Sequence, residues 1–354
     1  MRKVTMAFFA FGWAFAAASA LSGQSTVSSL VTKSSRINLK ALMKKADSGN
    51  IEAQIQLGMA YQAGQGVEKN LYEAMKWYHM AADRGDPFAQ NNLAILYQTA
   101  PESLKDTAEA AKWFKRAALY GDPLAQYNVG ALYLHGEGVQ QSDEEAVRWF
   151  RKSADAGQTE GFAGLAYMYF AGRGVPQDMH EALKLSRKAA KKGNGQAAAV
   201  LGFFYAHGLG VSADPTEAAK LFKKAADAGH PYAQYQLGMM YETGRGIEKN
   251  TEQAIRLYRL SAEQRIREAK KILGERYELG MGVPVDHKEA AKWYREAVDQ
   301  GDVKSASRLA TMLFSDNAAP GDESEAIRLW TLAANKGEAY AQFNLAQMYA
   351  TGTG

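Results

Sequence analysis

Apolar positions in this chain follow two nested periods. Within each short segment, a small residue, an aliphatic four later and a tyrosine four later again share one helix face. The sets are Ala53-Leu57-Tyr61, Ala89-Leu93-Tyr97, Ala125-Val129-Tyr133, Gly161-Leu165-Tyr169, Ala197-Leu201-Tyr205, Ala233-Leu237-Tyr241 and Ala269-Leu273-Tyr277, with Ser305-Leu309-Leu313 as an eighth. The segment returns every 36 residues, marked by Gly49, Gly85, Gly121, Gly157, Gly193, Gly229, Arg265, Gly301 and Gly337. A fixed period of this size predicts stacked copies of one supersecondary unit, overriding the two or three domains that length alone suggests.

Each unit reads as two helices. Asn50, Asp86, Asp122 and Asp302 are placed to cap the first, and Pro87, Pro123 and Pro231 suit its opening turn. It ends at a Gly-x-Gly-Val turn: Gly64/Gly66, Gly136/Gly138, Gly172/Gly174, Gly208/Gly210, Gly244/Gly246 and Gly280/Gly282. Units two and eight carry Ala100-Pro101-Glu102-Ser103 and Asp316-Asn317-Ala318-Ala319-Pro320 there, which predicts a different loop shape at unchanged unit length. The second helix opens on a capping box in every unit, from Asn70 with Glu73 to Asp322 with Glu325. It then presents alanines for close approach (Ala74, Ala110, Ala146, Ala182, Ala218, Ala254, Ala290, Ala326) and aromatics to fill the core (Trp77, Tyr78, Trp113, Phe114, Trp149, Phe150, Phe222, Tyr258, Trp293, Tyr294).

This order of Ala, Leu-Gly, Tyr, Gly-x-Gly-Val, Asp, Glu-Ala, Trp-Tyr and Ala-Ala resembles the Sel-one-like repeat, a relative of the tetratricopeptide repeat, over residues 37–354. The resemblance implies an all-α fold: an α/α solenoid, a right-handed superhelix of antiparallel helix pairs that serves as an adaptor for other proteins. Bacterial members are often exported. Some relatives stitch their repeats with cysteine pairs; this chain has no cysteine and departs from them. The expected organisation is a signal peptide at 1–20, a flexible Ser/Thr-rich spacer at 21–36, a capping helix at 37–48, eight repeats over 49–336, and the first helix of an incomplete ninth at 337–354. That last helix would leave Leu345 and Tyr349 short of a partner.

The signal peptide rests on Arg2 and Lys3, the apolar run Met6 to Ala17, and the small-residue site Ala18-Ser19-Ala20. It predicts export to the periplasm or beyond, with membrane contact only if the segment is retained. Net charge is +4, from 42 basic and 38 acidic residues without a basic run, so nucleic acid is not an expected partner.

On the first helix, residues 3, 6, 10 and 13 after each glycine point away from the small-Leu-Tyr stripe. In tetratricopeptide-like stacks this second stripe lines the concave surface. Its large apolar members are Phe88, Ile95, Leu124, Tyr127, Leu134, Tyr167, Phe170, Phe203, Tyr232, Tyr235 and Met239, and they form the candidate protein- or peptide-binding site. In unit seven the stripe changes to Glu268, Lys271, Glu275 and Glu278. The competing expectation is that curvature buries these side chains between units. No cofactor, metal or catalytic residue is expected. His135 and His207 share a repeat position two units apart, too few for a metal site. The glycine turns lack the strand and the Gly-Lys-Ser/Thr of a phosphate loop, and the glutamates are explained by capping. The reading is a non-enzymatic exported scaffold; the alternative is an envelope hydrolase acting on β-lactams or peptidoglycan.

Overall fold

A computed structural model describes residues 39–314 and 322–352. The signal peptide, the spacer, the unit-eight turn and the Asp322 side chain of the last capping box lie outside the described residues. All regular structure among the described residues is helical. The chain divides into two compact units between Ala197 and Ala198.

In the first unit, helix Leu39–Asp47 precedes four hairpins: Ile51–Ala63 with Leu71–Asp83, Pro87–Thr99 with Thr107–Leu119, Pro123–His135 with Asp143–Asp155, and Thr159–Ala171 with Met179–Lys191. The second unit holds most of Gly195–His207 with Pro215–Asp227, then Pro231–Thr243 with Thr251–Glu263, Arg267–Leu279 with His287–Val298, and Val303–Leu313 with Asp322–Asn335. Helix Ala339–Thr351 follows. In both units, helices pack on their neighbours in the chain, as expected for an α-solenoid of repeats.

Local chemistry sets most boundaries, although Thr159–Ala171 and Arg267–Leu279 start without a side-chain cap. Asn50, Asp86, Asp122 and Asp302 accept the N–H three residues on, as their spacing predicts. Gly64, Gly136, Gly172, Gly244 and Gly280 end first helices with φ of 71°, 72°, 65°, 72° and 67°, a conformation costly for any residue with a Cβ. In repeat two the chain leaves the helix at extended Ala100, and the Leu104 N–H closes the loop on the Pro101 carbonyl. The stack continues unbroken with Thr107–Leu119.

The capping boxes are half of what their sequence predicts. Asn70, Asp106, Ser142, Asp178, Asp214, Asn250 and Asp286 do accept the N–H of the residue three on. The reciprocal bond is pre-empted. Each cap's own N–H goes to a tyrosine carbonyl of the first helix: Asn70 to Tyr61, Asp106 to Tyr97, Ser142 to Tyr133, Asp178 to Tyr169, Asp214 to Tyr205, Asn250 to Tyr241 and Asp286 to Tyr277. The same residue thereby starts one helix and locks the hairpin. The glutamates turn outward to a cation three residues on, as in Glu73–Lys76 and Glu181–Lys184.

The core lies between the two helices of each hairpin. Tyr78, Phe114, Phe150, Phe222, Tyr258 and Tyr294 are fully buried, against the alanines and leucines of the periodic stripe. The rings of Phe150 and Tyr294 press on Gly130 and Gly274; a Cβ there would come within 2.6 and 2.5 Å of them. Register between repeats is set by glutamines five residues after the glycine. Gln54, Gln90, Gln126 and Gln234 donate to Ala46, Ala82, Ala118 and Ala226 carbonyls of the preceding helix. In repeat seven Lys270 occupies that buried position and pairs with Glu296 at 2.8 Å.

Candidate protein-binding surface

The candidate residues all come from the first helices of their repeats. In the first unit, Ile95 joins the buried cluster around Leu93, Leu96 and Leu132. Tyr127 is 2% exposed, its ring 5.6 Å from Phe150, within a cluster that includes Leu134, Leu165 and Met168. Leu134 and Phe170 are buried too, while Phe88, Leu124 and Tyr167 are half-buried at the seam. Buried Asn128 donates to buried Asn91 at 3.0 Å, tying repeats two and three beside the stripe.

In the second unit Phe203 is buried, its ring 4.1 Å from His207. Tyr232 is buried, and its hydroxyl accepts from Gln236. Tyr235 is half-buried between the rings of Tyr232 and Tyr258, at 6.1 and 6.3 Å. Burial, then the carboxylates of Glu268 and Glu242, push its hydroxyl pKa up to about 12. Met239 is 37% exposed.

The stripe does not clear its own hairpin partner, since Tyr127 lies 5.6 Å from Phe150 and Tyr235 6.3 Å from Tyr258, both rings of the paired second helices, and six of the eleven side chains are buried: Ile95, Tyr127, Leu134, Phe170, Phe203 and Tyr232. The accessible members are Met239 and, in part, Phe88, Leu124, Tyr167 and Tyr235. In repeat three a second neighbour adds to this: helix Pro123–His135 packs on Thr159–Ala171 of the next repeat as well as on its own hairpin mate.

Farther along the second unit the stripe turns polar and cross-linked. Tyr258 donates to Glu242 at 3.0 Å, and Arg276 holds the same carboxylate at 2.7 Å. Tyr294 donates to Glu278 at 2.6 Å, with Arg308 at 3.3 Å. Burial first, then the adjacent glutamate, drives both tyrosine pKa values far upward, so both stay protonated donors. Beside this ladder is apolar surface that sequence reasoning missed: Leu279, Met281 and Val285, 54%, 46% and 56% exposed, on the repeat-seven turn. The signal was Met281, where four of the five sister turns carry a polar residue, Gln65, Glu137, Arg173 or Arg245, and only repeat five carries another apolar one, Leu209.

Among the described residues no group of three His, Asp or Glu could hold a metal ion, and no helix is long and apolar enough to cross a membrane.

The Sel1 repeat family profile matches this chain nine times, over residues 51–86, 87–122, 123–158, 163–194, 195–230, 231–265, 268–302, 303–338 and 339–354. Among solved structures, a protective antigen present in uropathogenic Escherichia coli strains is 32% identical, covering 90% of this chain and 76% of its own, at a TM-score of 0.53. A Sel1 repeat protein from Oxalobacter formigenes is 30% identical, covering 84% of this chain and 86% of its own, at a TM-score of 0.59. Among curated proteins none matches significantly.

Proposed function

We propose that this chain, which belongs to the Sel1 repeat family, is a non-enzymatic exported scaffold that binds another protein on the inner stripe of its first helices. The observation that carries the site is the accessible apolar surface of repeats six and seven: Tyr235 and Met239 on the stripe, with Leu279 and Met281 beside it. Tyr235 rests one side on the core around Tyr258 and leaves the rest accessible beside exposed Met239, Leu279 and Met281, and apolar surface of this kind marks interaction sites. Tyrosine and methionine suit it, one as a rigid anchor and the other as an adaptable contact. The Tyr258–Glu242–Arg276 cross-link fixes the frame around it. Export rests on the N-terminal charge, apolar run and Ala-x-Ala site.

The test compares the chain with Tyr235→Ser/Met239→Ser/Met281→Ser for capture of a stoichiometric partner from envelope extract. Helical content and melting behaviour should match. Loss of the partner in the folded variant is the expected result, and full retention would move the site elsewhere. Turnover of ester, peptide or β-lactam substrates by the purified chain would overturn the non-enzymatic reading.

A further inference from the structure

The second helices present a different surface, and repeat four carries a base at a position where five other repeats carry an acid. Four of them carry a basic doublet at one repeat position: Lys115-Arg116, Arg151-Lys152, Arg187-Lys188 and Lys223-Lys224. The residue three after the doublet position is acidic in five repeats: Asp83, Asp155, Asp227, Glu263 and Asp299. Two of these acids pair back onto the helix, His79 with Asp83 at 2.9 Å and Lys223 with Asp227 at 3.2 Å. Repeat four has Lys191 there instead, followed by Lys192.

Helix geometry gathers the result. His180, Lys184, Arg187, Lys188 and Lys191 fall at i, i+4, i+7, i+8 and i+11, one stripe of about 16 Å at 1.5 Å per residue. All five are exposed. With Leu183 they line a depression of about 280 Å³. The helix carries a single carboxylate, Glu181, already paired with Lys184 at 2.9 Å. Lys184–Lys188 and Arg187–Lys191 are like-charge pairs at i,i+4, each costing a few tenths of the helix's stability in kcal/mol. The helix dipole offsets this only in the last turn. Folding does not require that cost, since five sister helices place an acid at the same position.

We propose that this stripe is a second docking surface, for an acidic segment of a partner protein whose carboxylates meet Arg187, Lys188 and Lys191. The exposed acids near it argue for a chain over a broad anionic plane. Asp178 at the head of the helix and Asp155 on the preceding one are both exposed, and a bilayer or a duplex would press against them. An acidic peptide lying along the stripe avoids both. Lys188 and Lys192 stand 5.6 and 5.7 Å from the half-buried Phe162 ring, which steadies their stems against it.

The experiment uses the full chain and a polyglutamate peptide at low salt. Arg187→Gln/Lys188→Gln/Lys191→Gln is expected to weaken binding about tenfold, as loss of three exposed ion pairs implies. Lys112→Gln/Lys115→Gln/Arg116→Gln removes the same charge from a sister helix and should leave affinity unchanged. Lys191→Asp restores the sister pattern, so it should lose peptide while folding at least as stably as the parent. Equal binding by all three variants would overturn the proposal. So would tighter binding to phosphatidylglycerol vesicles or duplex DNA that the same substitutions abolish.

Discussion

Repeats three and seven use one backbone to close the same seam in opposite ways. In repeat three, Leu134 sits thirteen residues after the glycine and joins the cluster around the Phe150 ring, dry and apolar. In repeat seven the equivalent residue is Glu278, and the ring opposite is Tyr294, whose hydroxyl it accepts while Arg308 supplies the countercharge. Repeat six does the same with Glu242, Tyr258 and Arg276. The position demands complementarity with the ring that faces it, and either chemistry meets that demand. The consequence differs at the surface: the apolar version buries the stripe, and the polar version keeps a hydrated, charged rim beside Tyr235 and Met239.

The largest effect comes from forcing one chemistry into the other's frame. Leu134→Glu places a carboxylate against Phe150 with no hydroxyl to bind it and Met168 where repeat seven offers Arg276. Burying an unpaired acid of this kind should cost at least about 3 kcal/mol, with the carboxyl protonating to limit the loss. Leu134→Glu/Phe150→Tyr supplies the donor and should recover part of that cost. Urea unfolding of the two variants checks it. An equal midpoint for single and double variants would show that the ring–carboxylate pairing carries no stability of its own.

Much of this was legible in the chain because it is local. The period, the Asp and Asn caps and the left-handed glycines each need only their immediate neighbours, so spacing reveals them. The stripe on the first helices was legible as a spacing and not as a surface. The wheel puts both Tyr127 and Tyr167 on the stripe, yet Tyr127 is sealed with its ring against Phe150 and Tyr167 is half-open, because depth is set by contacts with other helices that a wheel does not carry. The glutamine register bonds were visible in principle, as Gln54, Gln90, Gln126 and Gln234 share one repeat position. The basic stripe was hidden because Leu185, Ser186, Ala189 and Ala190 interrupt it in sequence; only the helix brings its cations together.

A second contrast lies between caps. Asp86, Asp122 and Asp302 open first helices with carboxylates, and His230 does the same work with its ring, Nδ1 accepting the Ala233 N–H at 3.2 Å. Burial lowers the His230 pKa from 6.5 to about 4. Folding therefore favours the neutral ring, and its contribution is complete above the unfolded value. It is lost as pH falls through that window, by at most about 3 kcal/mol. His230→Asp should keep the cap and remove this loss. Stability of both chains measured at pH 7 and pH 4.5 checks it, and parallel acid losses would show that His230 is not the sensitive group.

The smallest effect separates the polar ladder from its neutral counterpart. In repeat one, Tyr78 donates to the amide of Gln62 at 2.9 Å, the same geometry as Tyr294 to Glu278 without the charge. Removing the hydroxyl from Tyr294 leaves a half-buried carboxylate with Arg308 alone, so Tyr294→Phe should cost about 2 kcal/mol. Tyr78→Phe gives up a neutral bond to a partner that water can reach, at about 1 kcal/mol. The two substitutions delete the same atom from the same repeat position, so unequal burial of the ring cannot explain a difference between them. Hydrogen exchange in helices Arg267–Leu279 and Ile51–Ala63 reads each locally. If the first helix opens no more readily than the second, the glutamate ladder is a solvated rim and not a strut.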